Sequence, residues 1–241
     1  MSRPIACFAT SVTLLMGSWN ALADSGAAAS PGALDLASLL GRLAEHETQI
    51  ARFNRTRHTS TDQELDSKGA VTDEAVTVME VTVRGDRRDV VVRHSTHNGK
   101  DETREHQEAF DKPGKDAVHL SAKSPFKPAE QPNYNFQLFP PEAGADLLRI
   151  HFVPKAPAKA DQMIGDAWVD PNLGVVVRIS SVPAKLPEHA DTVKMRLEYQ
   201  ATTPVGPALS KLVVDAEASF LFFHQRMRST LVIDDYQIAE P

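Results

Sequence analysis

The sequence predicts a mainly β (α+β) fold: a curved antiparallel sheet, or half-open β-barrel, of about nine to eleven strands, with an N-terminal helix covering the concave face. Two observations predict it. One stretch early in the chain carries leucines at helical spacing. After residue 54 the side-chain types repeat with a period of two, as they do in β-strands. Turn-forming residues separate these alternating segments at even intervals. Even spacing is typical of antiparallel strands joined in meander order.

One helix is predicted near the start of the domain. Its apolar side chains lie close to helical spacing: Leu36, Leu39, Leu40, Leu43 and Ile50. Asp35 precedes them and is a suitable N-cap, because its carboxylate can accept hydrogen bonds from the first free backbone N–H groups. An apolar stripe on a helix usually faces a core. We therefore expect this helix to pack on the sheet.

The strands are predicted from alternation. In the first half, segments 55–61, 75–83 and 89–96 alternate, and the turn at 97–100 (His-Asn-Gly-Lys) is a strong hairpin signal. Residues 111–133 are rich in Pro and Lys and predict a long loop with a helical turn at 116–122. In the second half the predicted strands are 134–138, 148–152, 164–170, 174–181, 193–199, 209–216 and 220–236.

The N-terminus predicts export. Arg3 precedes an apolar run from Ile5 to Met16, and Ala21-Leu22-Ala23 is a small-x-small cleavage site. This order is typical of a secretory signal peptide, and the run is shorter than the ~20 residues that span a bilayer. We expect a signal peptide at 1–23 cleaved after Ala23, a flexible tether at 24–33 and a single domain at 34–237. The chain is not expected to span the membrane.

Composition excludes several classes of function. The net charge is −6, and it becomes −7 once Arg3 is removed, so nucleic acid is not expected as a partner. Cys7 is the single cysteine and lies within the signal peptide, near the start of its apolar run rather than at the cleavage site. We therefore expect neither a lipid anchor nor a disulfide nor a thiolate nucleophile in the exported chain.

No motif in the sequence predicts catalysis or a cofactor. There is no G-x-S-x-G elbow and no glycine-rich phosphate loop. The densest group of metal-ligand types is His94, His97, Asp101, Glu102, Glu105 and His106. His94 and His97 are three residues apart on a predicted strand, which places them on opposite faces. A solvated hairpin, without metal, is the interpretation that this spacing favours.

The alternation leaves two arrangements open for the interior. An antiparallel sheet with one apolar face must cover that face, and a single long helix is available to do so. Either the sheet curls around the helix and the interior is packed, or a cavity remains that takes an apolar ligand. The alternation does not reveal which face of each strand is concave.

Several segments together resemble the LolA-like family of periplasmic lipoprotein and lipid carriers. They are Asn133–Leu138, Ile150–Lys155, the hairpin Gly165–Pro171 with Val177-Arg178-Ile179, and a final strand with Phe220–Phe223, Arg226, Arg228 and Asp235-Tyr236. The resemblance covers residues 34–237. It implies a periplasmic, half-open β-barrel whose mouth is covered by helix, and binding rather than catalysis.

In such carriers acyl chains lie between the concave sheet and the helical lid. The resemblance therefore implies a lipid-like or acylated ligand, or a lipoprotein, bound by Leu39, Leu40, Leu43, Tyr134, Phe136, Leu138, Ile150, Phe152, Trp168, Val193, Met195 and Leu197. Because apolar alternation by itself indicates a core, each of these residues is interpreted as a core residue first and as a ligand contact second. The alternative is a periplasmic sensor of the same fold, with a closed core and a protein partner.

Overall fold

In the part of the chain that the structure describes, eleven strands form one open antiparallel sheet, which confirms the fold class predicted from the sequence. The computed structural model describes residues 35–85, 87–111, 123–141, 146–220 and 223–238. The predicted signal peptide, the tether and the predicted helical turn at 116–122 lie outside these residues. Among the described residues, no helix is long and apolar enough to cross a membrane.

The elements follow the predicted order, with one helix that the sequence did not predict. The helices are α1 Leu36–Ile50 and α2 Thr103–Asp111, with a short 3-10 turn at Gln131–Asn133. The strands are β1 Arg55–Leu65, β2 Val71–Arg84, β3 Arg87–His97, β4 Lys100–Asp101, β5 Tyr134–Phe139, β6 Leu148–Pro154, β7 Met163–Asp170, β8 Val175–Pro183, β9 Ala190–Thr203, β10 Gly206–Phe220 and β11 Phe223–Gln237.

The strand order is β4-β3-β2-β1-β11-β10-β9-β8-β7-β6-β5. The chain therefore starts near the middle of the sheet, runs outward to the β4 edge, and resumes at the opposite edge with β5. It then returns strand by strand until β11 pairs with β1. Pairing the first and last long strands joins the two halves into one sheet, because hydrogen bonds between β1 and β11 extend over most of both strands.

α1 begins after Asp35, the residue that the sequence indicates as its N-cap. The Asp35 carboxylate accepts hydrogen bonds from the backbone N–H groups of Ala37 and Ser38, each at 3.3 Å. This caps the first turn, where N–H groups have no partner within the helix. Leu39 and Leu43 are 0% and 1% exposed, so the leucine face is turned into the core.

The core lies between α1 and the face of the sheet that α1 covers, which we call the inner face. Its buried members are Leu39, Leu43, Phe126, Tyr134, Leu148, Ile150, Phe152, Met163, Ala167, Val169, Val176, Ile179, Val193, Met195, Leu197, Leu209, Leu212, Val214, Leu231 and Ile233. They come mostly from α1 and from β5 to β10. Residues that alternate with them point to the opposite, outer face.

α2 covers the other half of the inner face with polar contacts. No residue of α2 is buried. The His106 ring lies 2.7 Å from Ser95 Oγ and 3.2 Å from Thr77 Oγ1, and the Gln107 Oε1 accepts a hydrogen bond from Val92 N at 2.7 Å. α2 is missing from the sequence-based expectations because its sequence (TREHQEAFD) carries no apolar stripe.

Ion pairs neutralise the outer face of the β1–β3 half. Glu80 Oε2 lies 2.9 Å from Arg55 and 2.8 Å from Arg93, and these two guanidinium groups lower the pKa of Glu80 to about 2. Arg57 pairs with Asp234 across β1 and β11 at 2.8 Å. Each arginine is matched to a carboxylate on a neighbouring strand, as expected of charges at cross-strand positions.

Candidate functional site

Eleven of the twelve predicted ligand-contact residues lie together on the inner face or in α1. Eight of them are buried: Leu39, Leu43, Tyr134, Ile150, Phe152, Val193, Met195 and Leu197. Leu40, Phe136 and Leu138 are partly buried and pack against these eight. The resemblance therefore selected a real spatial cluster, and the structure identifies the face of the sheet to which it belongs.

Trp168 does not belong to this cluster, so its assignment to the same cavity is wrong. Its neighbours on β7, Ala167 and Val169, are both 0% exposed on the inner face. Because successive side chains of a strand point to opposite faces, Trp168 lies on the outer face. The error has a simple cause: alternation defines two sets of residues on a strand without saying which set faces the interior.

The interior beneath α1 is filled by the protein's own side chains. Phe126 lies at its centre, 0% exposed, with ring centroids 5.8 Å from Phe136 and 6.0 Å from Phe152. Tyr134 completes the group, 6.1 Å from Phe152; its hydroxyl accepts a hydrogen bond from Met163 N at 3.2 Å, and burial raises its pKa to about 12. Phe126 was missed from sequence because a single aromatic in a Pro- and Lys-rich loop has no periodic neighbours.

Hydrogen bonds to surrounding loops hold α1 in place. Arg42 Nη1 donates to Pro171 O at 2.8 Å, and Gln131 Nε2 donates to Leu40 O at 2.8 Å. Near the end of the helix, Ser124 Oγ donates to Glu47 Oε1 at 3.0 Å, and burial raises the pKa of the Glu47 carboxyl. α1 is thus attached along its length, and it closes the interior.

The outer face carries a row of stacked arginine and aromatic side chains. Phe139, Arg149, Trp168 and Arg178 are cross-strand partners on β5, β6, β7 and β8. The Arg149 guanidinium carbon lies 4.3 Å from the centroid of Phe139, and that of Arg178 lies 4.1 Å from Trp168. Guanidinium groups at this distance over an aromatic face form favourable cation–π contacts.

A surface cavity of about 470 Å³ adjoins this row. It is lined by Pro140, Asp146, Leu147, Arg149, Trp168, Asp170 and Arg178. The Asp170 carboxylate also accepts hydrogen bonds from the backbone of Asn172 and Leu173, at 2.8 and 3.0 Å, which shapes the β7–β8 turn. We call Arg149, Trp168 and Arg178 the arginine–tryptophan site.

A second surface cavity, of about 460 Å³, lies where β8 and β9 separate. These strands pair only from Arg178–Ser181 to Met195–Glu198, and the cavity opens beyond that stretch beside Ser180, Val182 and Lys194. Both cavities are therefore in the β5–β10 half of the molecule, and no residue of α1 lines either of them.

The histidine-rich segment is dispersed among separate contacts. His97 Nε2 lies 2.8 Å from Asp73, whereas His106 contacts Ser95 and Thr77. Among the described residues, no group of three or more His, Cys, Asp or Glu side chains is arranged to hold a metal ion.

Comparisons with known proteins find similarity only among solved structures. No family model matches the chain, and no curated protein matches it. A crystal structure of MucB in complex with MucA(peri) aligns at 12% identity, covering 83% of this chain and 94% of that chain, with a TM-score of 0.25. The structure of the Pseudomonas aeruginosa MucA/MucB complex aligns at 11%, covering 81% and 93%, with a TM-score of 0.25. At this TM-score the likeness is loose, and function has to be argued from the residues of this chain.

Proposed function

We propose that this chain is a non-enzymatic periplasmic protein that binds a protein partner through its outer face while its interior stays closed. The observation that carries the proposal is the packing beneath α1. Leu39, Leu43 and Phe152 are at most 1% exposed and fill the space that a ligand would need. The N-terminal export pattern supports the periplasm as its location.

Cavity positions support the same proposal. Sites for small apolar ligands usually enclose about 300–1,000 Å³ and bury most of the ligand. The two cavities described above reach this size, but both open to solvent: one lies on the outer face beside Trp168, and the other lies in the gap between β8 and β9. Such shallow, partly polar depressions suit the side chains of a partner protein better than an acyl chain.

Catalysis is not part of the proposal. The pair that most resembles a nucleophile and its base is Ser95 and His106, whose Oγ and Nδ1 atoms lie 2.7 Å apart. Ser95 is 0% exposed and its hydroxyl is also within 2.9 Å of Thr77 Oγ1. A substrate has no access to this oxygen, so we interpret the pair as a structural contact that holds α2 on the sheet.

A second candidate is binding of a lipid-like or acylated ligand, as in the LolA-like carriers that the sequence resembles. One observation favours it: α1 lays Leu39 and Leu43 on a continuous apolar surface. If α1 moved away, an acyl chain could cover that surface in its place. The movement would break the hydrogen bonds from Arg42 and Gln131 that hold α1 to neighbouring loops.

The two candidates are separated by what copurifies with the protein. Residues 24–241 are purified from a periplasmic extract without detergent, and organic extracts are analysed by mass spectrometry before and after incubation with phospholipid vesicles and palmitate. We expect no stoichiometric lipid. One lipid or fatty acid per chain would contradict the closed interior and favour the carrier.

Partner binding is tested by crosslinking in the periplasm. A benzoylphenylalanine is placed at Ser180, which is exposed on the outer face of β8. The matched control places it at Val71, which is 49% exposed at the start of β2 in the other half of the sheet. We expect a protein adduct of discrete mass at Ser180 and none at Val71. Equal crosslinking at both positions, or none at either, would count against an outer-face partner.

A further inference from the structure

We propose that the arginine–tryptophan site binds a carboxylate of an acidic segment of the partner protein. The inference deepens the proposed function, on which it rests, by naming the chemistry of the partner. Its three residues occupy adjacent strands, with Arg149 and Arg178 on either side of Trp168. Neighbouring strands are about 4.8 Å apart, so the two arginine backbones are roughly 10 Å apart, with the indole between them.

The stacked geometry leaves hydrogen-bond donors available. The guanidinium carbons of Arg149 and Arg178 lie over the rings of Phe139 and Trp168, 4.3 and 4.1 Å from the ring centroids. A cation–π contact does not use N–H groups as donors to oxygen, so these donors remain available to a ligand. Stacking also fixes the side chain before a ligand arrives, which lowers the entropy lost on binding. A planar fork of donors is the group that recognises a carboxylate through two hydrogen bonds.

Neither arginine of this site forms an ion pair among the residues that the structure describes: no described carboxylate lies within 4.0 Å of Arg149 or Arg178, although Glu198 is the cross-strand partner of Arg178 on β9. Elsewhere on the outer face the pattern is the opposite: Arg93, Arg57 and Arg228 pair with Glu80, Asp234 and Asp215 at 2.7–2.8 Å. Two guanidinium groups side by side, without an ion pair among the described residues, keep N–H donors available for an anionic group.

The lining of the adjoining cavity favours a carboxylate over a phosphate. Asp146 and Asp170 lie at the same cavity as the two arginines. With two guanidinium groups and two carboxylates at the cavity, a second negative charge on the ligand gains no net attraction, since Coulomb energies of both signs scale with the charge of the ligand. Pro140, Leu147 and Trp168 add apolar surface on which neighbouring aliphatic side chains can pack. An acidic residue flanked by apolar residues in a polypeptide supplies both groups.

The binding test uses residues 24–241, two labelled peptides and two competitors. One peptide is a fluorescein-labelled chain of alternating Glu and Leu, and the other is the matched peptide of alternating Gln and Leu. The competitors, inorganic phosphate and vesicles of anionic phospholipid, are added in separate titrations. Anisotropy of the label measures binding. Trp168 is the one tryptophan of residues 24–241, so its emission reports whether the site itself is occupied. We expect the Glu peptide to bind at least about tenfold more tightly than the Gln peptide.

Substitutions locate the site. Arg149→Gln and Arg178→Gln should each weaken the Glu peptide about tenfold or more, because each removes charge-assisted hydrogen bonds. Arg178→Lys should weaken it as well, because an ammonium keeps the charge but lacks the planar fork. The matched control is Arg57→Gln, an outer-face arginine already paired with Asp234, which should leave the affinity unchanged within about twofold. Thermal melting confirms that each variant is folded.

Three results would overturn the inference: equal affinity for the Glu and Gln peptides, an unchanged affinity in both arginine variants, or displacement of the Glu peptide by phosphate or anionic vesicles at equal concentration. If a protein still crosslinks at Ser180 although the Glu peptide does not bind, the partner binds the outer face through other residues and the proposed function is retained. If no protein crosslinks at Ser180 either, both the carboxylate site and the proposed function are wrong.

Discussion

At the scale of single residues, His58 shows that burial can change the pKa of a side chain that belongs to no sequence motif. It lies on the inner face of β1, 9% exposed, with its Nε2 2.9 Å from Thr56 Oγ1. Burial, followed by the nearby charge of Arg88, lowers the pKa of His58 to about 4. The sequence could not reveal this, because a histidine among the threonines of a strand looks the same whether it faces solvent or the interior.

His58 should make the folded state sensitive to acid. The unfolded chain takes up a proton near the ordinary pKa of 6.5, whereas the folded chain resists until about 4. The unfolded state therefore binds more protons in this window, and the free energy of unfolding should fall as pH drops from 6.5 to 4, by up to about 3 kcal/mol. Urea denaturation at several pH values measures it. His58→Gln should abolish this part of the pH dependence, and an unchanged profile in the variant would show that other groups cause it.

Two glycines provide a matched pair for testing backbone packing. A Cβ on Gly165 of β7 would lie 2.2 Å from Ser180 O on β8, so Gly165→Ala must separate the two strands. We expect a loss of at least about 2 kcal/mol in the free energy of unfolding, typical of a forced backbone shift. A Cβ on Gly41 of α1 meets nothing within 4 Å, so Gly41→Ala should stabilise the protein by up to about 1 kcal/mol. Urea denaturation of both variants measures their free energies of unfolding. Equal effects of the two substitutions would contradict the close contact between β7 and β8 at Gly165.

At the scale of elements, the sequence predicted the helices and strands whose side chains repeat in a periodic pattern. α1 was predicted with its cap because its leucine stripe records the face that it buries. α2 was missed because polar contacts hold it, and polar contacts leave no period in the sequence. Alternation predicted the strands, but residues 220–236 were expected as one strand, whereas β10 ends at Phe220 and β11 begins at Phe223. Without Gly, Pro or Asn there, no turn signal marks that division.

The two helices should respond very differently to truncation. Leu43 is 1% exposed beneath α1, so Leu43→Ala should cost about 2–5 kcal/mol, the usual cost of a cavity in a packed core. Phe110 in α2 is 36% exposed, and Phe110→Ala should cost less than about 1 kcal/mol although it removes a larger side chain. Chemical denaturation monitored by Trp168 fluorescence compares them. A small effect at Leu43 would mean that α1 is not anchored in the core, and the carrier would become the better hypothesis.

At the scale of the whole molecule, one sheet carries two different interiors. The β5–β10 half is covered by α1, which packs on it through apolar side chains. α2 contacts the β1–β3 half through hydroxyl and imidazole groups, beside the buried side chains of Met79, Val81 and Val92. The apolar cluster was predictable because eleven of its members alternate along strands or repeat along α1. The arginine–tryptophan site was not, because Arg149 and Arg178 come together only through strand register, which no single segment encodes.

This asymmetry should appear as unequal local stability. Local opening is easiest where few apolar contacts hold an element, so backbone amides of α2 and β4 should exchange hydrogen for deuterium well before those of α1 and β6–β9. Hydrogen exchange followed by mass spectrometry on residues 24–241 tests this peptide by peptide. Adding palmitate should leave the protection of α1 unchanged if the interior is closed. Faster exchange in α1 with palmitate present would instead show that the helix moves to admit an acyl chain. Uniform exchange across both halves would contradict the division of the molecule into a tightly packed and a loosely held part.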